Sequence, residues 1–177
     1  MKIIKKILLG IGILIALVLI TALFVKKEYS IERDVTINKP KQEVFDYIKL
    51  VNNQVYYNKW VMTDPNVKRT ATGTDGTVGF SSNWVSDNKD VGSGEQEIKK
   101  IVDGDSIVIQ LHFIKPFEGK ADAAMATDSV AANQTRVKWV FSGTSPYPMN
   151  LMNLCMDKMM GKDMDSSLSN LKTVLEK

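Results

Sequence analysis

The sequence has 177 residues, 44% of them hydrophobic and 24% charged, with a formal net charge of +3, an ordinary composition for a globular protein. Five lysines, Lys2, Lys5, Lys6, Lys26 and Lys27, flank one apolar segment; without them the 23 basic residues become 18 against 20 acidic ones. The remainder is therefore near −2 and lacks the basic footprint of a nucleic-acid binder, and a lone cysteine, Cys155, excludes an intramolecular disulfide.

Residues 7–25 form a run of 19 without a charge. That length suffices to cross the hydrocarbon core as a helix and exceeds the apolar core of a usual secretory signal. Leu23-Phe24-Val25 is no small-x-small cleavage site, and no lipid-bearing cysteine follows. The expectation is an uncleaved N-terminal transmembrane anchor over 1–27 and one domain over 28–177. Lys2, Lys5 and Lys6 favour a cytoplasmic N-terminus with the domain outside the cytoplasm.

Glu28 to Ile37 reads as a strand, rich in β-branched residues at its end. Asn38-Lys39-Pro40 opens a helix, with Pro40 in its first turn and Val44, Phe45, Ile48 and Val51 as its stripe. A short second helix with Val55, Tyr56 and Trp60 precedes Asp64-Pro65, and Tyr57 adds a third ring to Tyr56 and Trp60. These rings form either a cavity mouth or a contact with the membrane surface. From Val67 the period shifts toward two. Strands are expected at 67–72, 77–86, 92–102, 106–115, 119–130 and 135–144, separated by turn signals such as Gly73-Thr74-Asp75-Gly76 and Asp103-Gly104-Asp105.

Alternation assigns faces to these strands. Ile107, Ile109, Leu111 and Phe113 share one side, with His112 opposite. Val137, Trp139 and Phe141 oppose Arg136 and Lys138. Ala121, Ala123 and Met125 share a face on which small residues leave room. The stretch from Pro148 to Lys177 reads as one long helix. Its stripe is Met152, Met156, Met160, Met164, Leu168, Leu171 and Leu175, at steps of four and three. Cys155 is expected to be a small buried apolar residue, and Gly161 to mark close packing or a kink. The order of elements gives an α+β domain, a curved antiparallel sheet covered on one face by helices.

The sequence resembles the START-like, or SRPBCC, superfamily, and within it the polyketide cyclase/dehydrase-like branch. The likeness rests on Val35-Thr36-Ile37-Asn38-Lys39-Pro40 entering a helix with Val44-Phe45, then on Trp60 and Asp64-Pro65. It continues in the Gly92-x-Gly94-Glu95-Gln96 strand, Thr135-Arg136-Val137-Lys138-Trp139 and Leu168-Ser169-Asn170-Leu171-Lys172. The resemblance implies a helix-grip fold, a seven-stranded antiparallel curved sheet around a long C-terminal helix. It also implies a pocket between sheet and helix for a hydrophobic small molecule or lipid.

The candidate wall of that pocket is Trp84, Ile109, Leu111, Phe113, Met125, Trp139, Met152 and Met156. Flexible, polarizable methionines and large rings suit an apolar ligand; the same residues also serve as ordinary core. Gly92-Ser93-Gly94 lacks the rest of a dinucleotide fingerprint, and no phosphate loop occurs. With one histidine and one cysteine, His/Cys zinc frameworks are absent, so neither a cofactor nor a metal is expected. A cyclase or dehydratase would need an acid–base group aimed into the pocket, with Glu95, Glu97, Asp122 and Asp128 as the candidates. A third reading is a ligand-free protein-interaction module. The orientation is checked by reporters fused to Lys177: a periplasm- or exterior-dependent phosphatase is expected to be active and a cytoplasm-only reporter silent.

Overall fold

The computed structural model describes residues 2–177. Helix α1 (Lys2–Phe24) is followed by strand β1 (Glu28–Ile37), helix α2 (Lys41–Ile48) and a 3-10 turn at Val51–Tyr56. A short helix α3 (Lys59–Met62) leads to β2 (Lys68–Thr72), β3 (Ser81–Val85), β4 (Ser93–Val102), β5 (Ser106–Lys115), β6 (Gly119–Ala131) and β7 (Gln134–Thr144). A 3-10 turn at Met149–Met152 then enters α4 (Asn153–Leu175). The strands form one seven-stranded sheet in the order β1-β7-β6-β5-β4-β3-β2, with every neighbouring pair antiparallel. This is the helix-grip architecture.

Register places Ile31, Arg33, Val35 and Ile37 of β1 on the helix-covered face, opposite Phe141, Trp139, Val137 and Thr135. The same face continues through Ala121, Ala123 and Met125 of β6 to Leu111, Ile109 and Ile107 of β5. It ends with Ile98, Gln96 and Gly94 of β4 facing β5, Ser82 and Trp84 of β3, and Ala71 and Arg69 of β2. Strand β3 is shorter than the 77–86 expected. Residues 77–80 form a turn closed by the Phe80 amide donating to the Thr77 carbonyl at 3.2 Å.

Helix α4 lies beside β1 and runs in the same direction. Asn153 Nδ2 donates to the Lys26 and Lys27 carbonyls at 3.0 and 2.9 Å, at the start of β1. At its far end Lys172 Nζ donates to the Thr36 carbonyl at 2.8 Å. Only the second half of α4 is in the core, through Met164, Leu168, Leu171 and Leu175. The first half leaves Leu154, Cys155 and Met159 exposed. This corrects the expectation that Cys155 is buried: it sits in the opening turns of α4, on the side of the helix away from Asp157, which reaches β1 through Arg33. The expected single helix from Pro148 is likewise two pieces, because residues 149–152 wind as a 3-10 turn before the α-helix begins.

Gly161 marks the crossing point. A Cβ there would stand 2.0 Å from Arg33 Nη2. The Arg33 guanidinium, projecting from the concave side of β1, thus lies across the helix backbone. It is held by Asp157 at 2.9 Å and Asp165 at 3.3 Å. The hydrogen bond from Arg33 keeps the Asp157 carboxyl below the usual carboxylate range. Close packing, not a kink, accounts for the glycine.

Helix α1 contains a 22-residue stretch, Ile3–Phe24, long and apolar enough to cross a membrane. Its side chains are exposed except near the end, where Ala22 is buried. The helix is fastened there to the segment between β7 and α4. Asn150 Nδ2 donates to the carbonyls of Ala22 and Val25, both at 2.7 Å, satisfying carbonyls left free at a helix end.

Gly161→Leu is expected to lower the thermal unfolding midpoint by circular dichroism, since its bulk must push β1 and α4 apart. Gly161→Ala should move the midpoint little. Its one methyl displaces only the flexible guanidinium, and alanine gains about 1 kcal/mol in helix propensity over glycine.

Candidate functional site

A seven-stranded sheet is wider than one helix. With α4 packed along β1, the concave face of β3, β4 and β5 needs another cover. Helix α3 supplies it. Asn58 caps α3 by accepting a hydrogen bond from the Trp60 amide at 3.1 Å. The Lys59 amide donates to Ser167 Oγ on α4 at 2.8 Å. These two bonds swing Trp60 over the sheet, where its ring meets Trp139 edge-on at 5.8 Å and Phe141 at 6.2 Å. The cover is incomplete, and a cavity of about 300 Å³ remains beneath it. That volume is at the lower end of the range of small-molecule pockets, about 300–1,000 Å³.

The inner wall is apolar, made of Ile109, Leu111 and Phe113 of β5, Ala123 of β6, and Trp139 and Phe141 of β7. Ala123 gives the room: a small side chain stands where Phe141 and Ile109 flank it on neighbouring strands. Trp84 closes the other side. Its ring lies over Gly94, where a Cβ would come within 2.5 Å of the indole, and stacks edge-on against Phe113 at 5.9 Å. All three tryptophans of the chain, Trp60, Trp84 and Trp139, border this one space. The Trp139 Nε1–H is buried and has no hydrogen-bond partner among the described residues, a donor for which an acceptor inside the cavity would be favourable.

Of the eight residues expected to form the wall, Trp84, Ile109, Leu111, Phe113 and Trp139 border the cavity. Met125 is on the same face but further along β6, buried against Tyr57, whose hydroxyl approaches its sulfur at 4.0 Å. Burial pushes the Tyr57 phenol above its ordinary value. Met152 lies in the 3-10 turn before α4 and is exposed. Met156 packs half-buried on the core, and Met160, one turn on, is the methionine of α4 that reaches the cavity.

The sequence reading missed a polar side. Arg69, Ser82 and Gln96 line the cavity from β2, β3 and β4. The signal was available only through register: Arg69 pairs with Trp84, and Ser82 with Gln96, so all lie on the concave face. The proposed acid–base residues are elsewhere. Glu95 is paired with His112, and Asp122 with Gln110, on the convex side of the sheet. Asp128 pairs with Arg136 at 3.1 Å and Glu97 with Lys99. Asp90, on the loop between β3 and β4, is the one carboxylate among the cavity-lining residues.

No protein-family model matches the sequence, and no curated protein sequence matches it. Solved structures do share the arrangement. A protein from Chromobacterium violaceum is 12% identical, with a TM-score of 0.59 over 84% of this chain and 97% of that one. A protein from Thermobifida fusca, solved in solution, is 13% identical, with a TM-score of 0.61 over 82% and 92%. Ara h 8.0201 is 12% identical, with a TM-score of 0.55 over 84% and 97%. At these identities the likeness is one of fold: the chain has a helix-grip fold.

Because every tryptophan borders the cavity, a heavy-atom quencher that enters it should reach them all. A brominated alkane is expected to quench most of the tryptophan emission of the wild type, and markedly less in Ala123→Phe, whose ring occupies the space. Steady-state fluorescence of the two proteins checks this.

Proposed function

We propose that this chain is a membrane-anchored binding domain for a hydrophobic small molecule or lipid, held in the cavity between the sheet and the helices. The observation that carries the reading is the cavity of about 300 Å³ lined by three tryptophans and five further large apolar side chains, Ile109, Leu111, Phe113, Phe141 and Met160. Burying apolar ligand area there would drive affinity at roughly 25 cal/mol per Å², less the cost of ordering the ligand. We assign residues 1–27 to the anchor and 28–177 to the binding domain. The N-terminus lies in the cytoplasm and the domain outside it, following the basic residues ahead of α1.

The placement of the cavity supports a bilayer source for the ligand. Strand polarity brings the start of β1, the end of β7, the β5–β6 turn and the β3–β4 loop to one end of the sheet. This is the end from which α1 departs. The exposed rim residues of the cavity, Arg69 and Asp90, lie toward it, near the start of β2 and on the β3–β4 loop. Phe117, in the β5–β6 turn, is 75% exposed, and Leu154 at the start of α4 is 72% exposed. Apolar side chains at that end suit contact with the acyl boundary of a membrane.

We read the kinship with the polyketide cyclase/dehydrase-like branch as one of fold and pocket, without its label of catalysis. General acid–base chemistry needs a titratable group aimed at the bound substrate; the four carboxylates considered from sequence line the convex or outer faces, and Asp90 stands exposed at the cavity rim. The test is extraction and mass spectrometry of the full chain purified from its membrane. A defined apolar species is expected to accompany the wild type and to be lost from Ala123→Phe, while bulk lipid stays with both through α1. The same species retained by both proteins, or none in either, overturns the reading.

A further inference from the structure

The cavity is divided by strand. Its β5–β7 wall has no charged side chain: Ile109, Leu111, Phe113, Ala123, Trp139 and Phe141. Its β2–β4 wall carries Arg69, Ser82 and Gln96. Arg69 points from the second residue of β2 onto the concave face, across from Trp84. Its one hydrogen bond among the described residues is Nη2 donating to the Val61 carbonyl at 3.0 Å. No ion pair among the described residues engages it, although Asp90 borders the same cavity. Desolvation pushes the guanidinium below its ordinary value. Ser82 is only 6% exposed, and neither its hydroxyl nor the Gln96 amide makes a side-chain hydrogen bond within the described residues.

Arg69 is exposed at the rim and keeps its water, but the largely shielded Ser82 hydroxyl is costly to leave unmatched beside apolar surface. An arginine fork offers several N–H donors and matches a planar acid group. From this division we infer that the ligand is an anionic amphiphile, its acid head held by Arg69 with Ser82 and Gln96 and its apolar body laid against β5–β7. The inference rests on the proposed binding role and narrows it to one ligand class. A small number of placed polar groups that orient an otherwise apolar ligand is how such sites acquire specificity. The head then lies against β2–β4, toward the exposed Arg69, and the body against β5–β7. Carboxylate and phosphate heads share this chemistry.

The test uses the full chain in phosphatidylcholine nanodiscs, with tryptophan emission as the readout and free ligand corrected by empty discs. Decanoate, decyl phosphate and decanol are titrated at alkaline pH, where the acids are ionised. At least one acid is expected to bind about tenfold or more tightly than decanol, as one charge-assisted hydrogen-bonded pair supplies. Whichever acid binds tighter identifies the head. In Arg69→Gln the ratio of acid to decanol affinity should fall toward one, and in Arg69→Lys part of it should return. If decanol binds as tightly as both acids, the acid head is overturned while the apolar cavity stands. A preference for acid that survives in Arg69→Gln overturns the assignment to this arginine. If none of the three binds, the binding role fails, and the narrower inference with it.

Discussion

The second half of α4 lying on the concave side of β1 and β7 is the contact on which the rest depends. Met164, Leu168 and Leu171 are fully buried there, and they meet Ile31, Val35 and Ile37 across a strand that the helix follows in direction. One helix about 10 Å across cannot cover seven strands spaced about 4.8 Å apart. Once α4 is committed to the β1 edge, the far half of the concave face must be closed by something shorter. Helix α3, four residues long, reaches only part of it. The cavity follows from that mismatch, and small Ala123 at its floor prevents the sheet from filling it.

Two polar devices keep this arrangement in register with the N-terminal helix. Arg33 crosses α4 at Gly161 and is clasped by Asp157 and Asp165, so helix and strand are pinned where the packed half of α4 begins. At the other end, the side-chain amides of Asn150 and Asn153 donate to the carbonyls of Ala22, Val25, Lys26 and Lys27. The segment leading into α4 therefore fixes the end of α1 and the start of β1 together. A helix able to cross a membrane is joined to the domain through side-chain hydrogen bonds, not through a free linker, and the rim of the cavity has a defined position relative to it.

Much of the site was legible because a strand repeats every two residues. Alternation put Ile109, Leu111, Phe113 and Trp139 on one face and His112 on the other, and the pairing bears this out. The methionine stripe was a weaker guide. Periodicity groups Met152, Met156, Met160 and Met164 on one side of a helix, but it cannot say how far along the helix the sheet extends. Met164 is fully buried, Met160 reaches the cavity, and Met152 is in solvent. The polar wall was not legible. Lys68-Arg69-Thr70-Ala71-Thr72 has no apolar alternation, so nothing local tells which face Arg69 takes.

The sequence by itself determined the elements, the apolar N-terminal span, the antiparallel order and the faces of the strands with strong alternation. Local spacing is enough for these, because neighbouring residues alone decide which side chains fall together. Tertiary structure decided where α4 stops covering the sheet, why residue 161 is glycine, and that Arg69, Ser82 and Gln96 look into the same space as the tryptophans. Those outcomes depend on pairings between strands distant in the chain and on the width of one helix against seven strands, quantities that no run of adjacent residues contains.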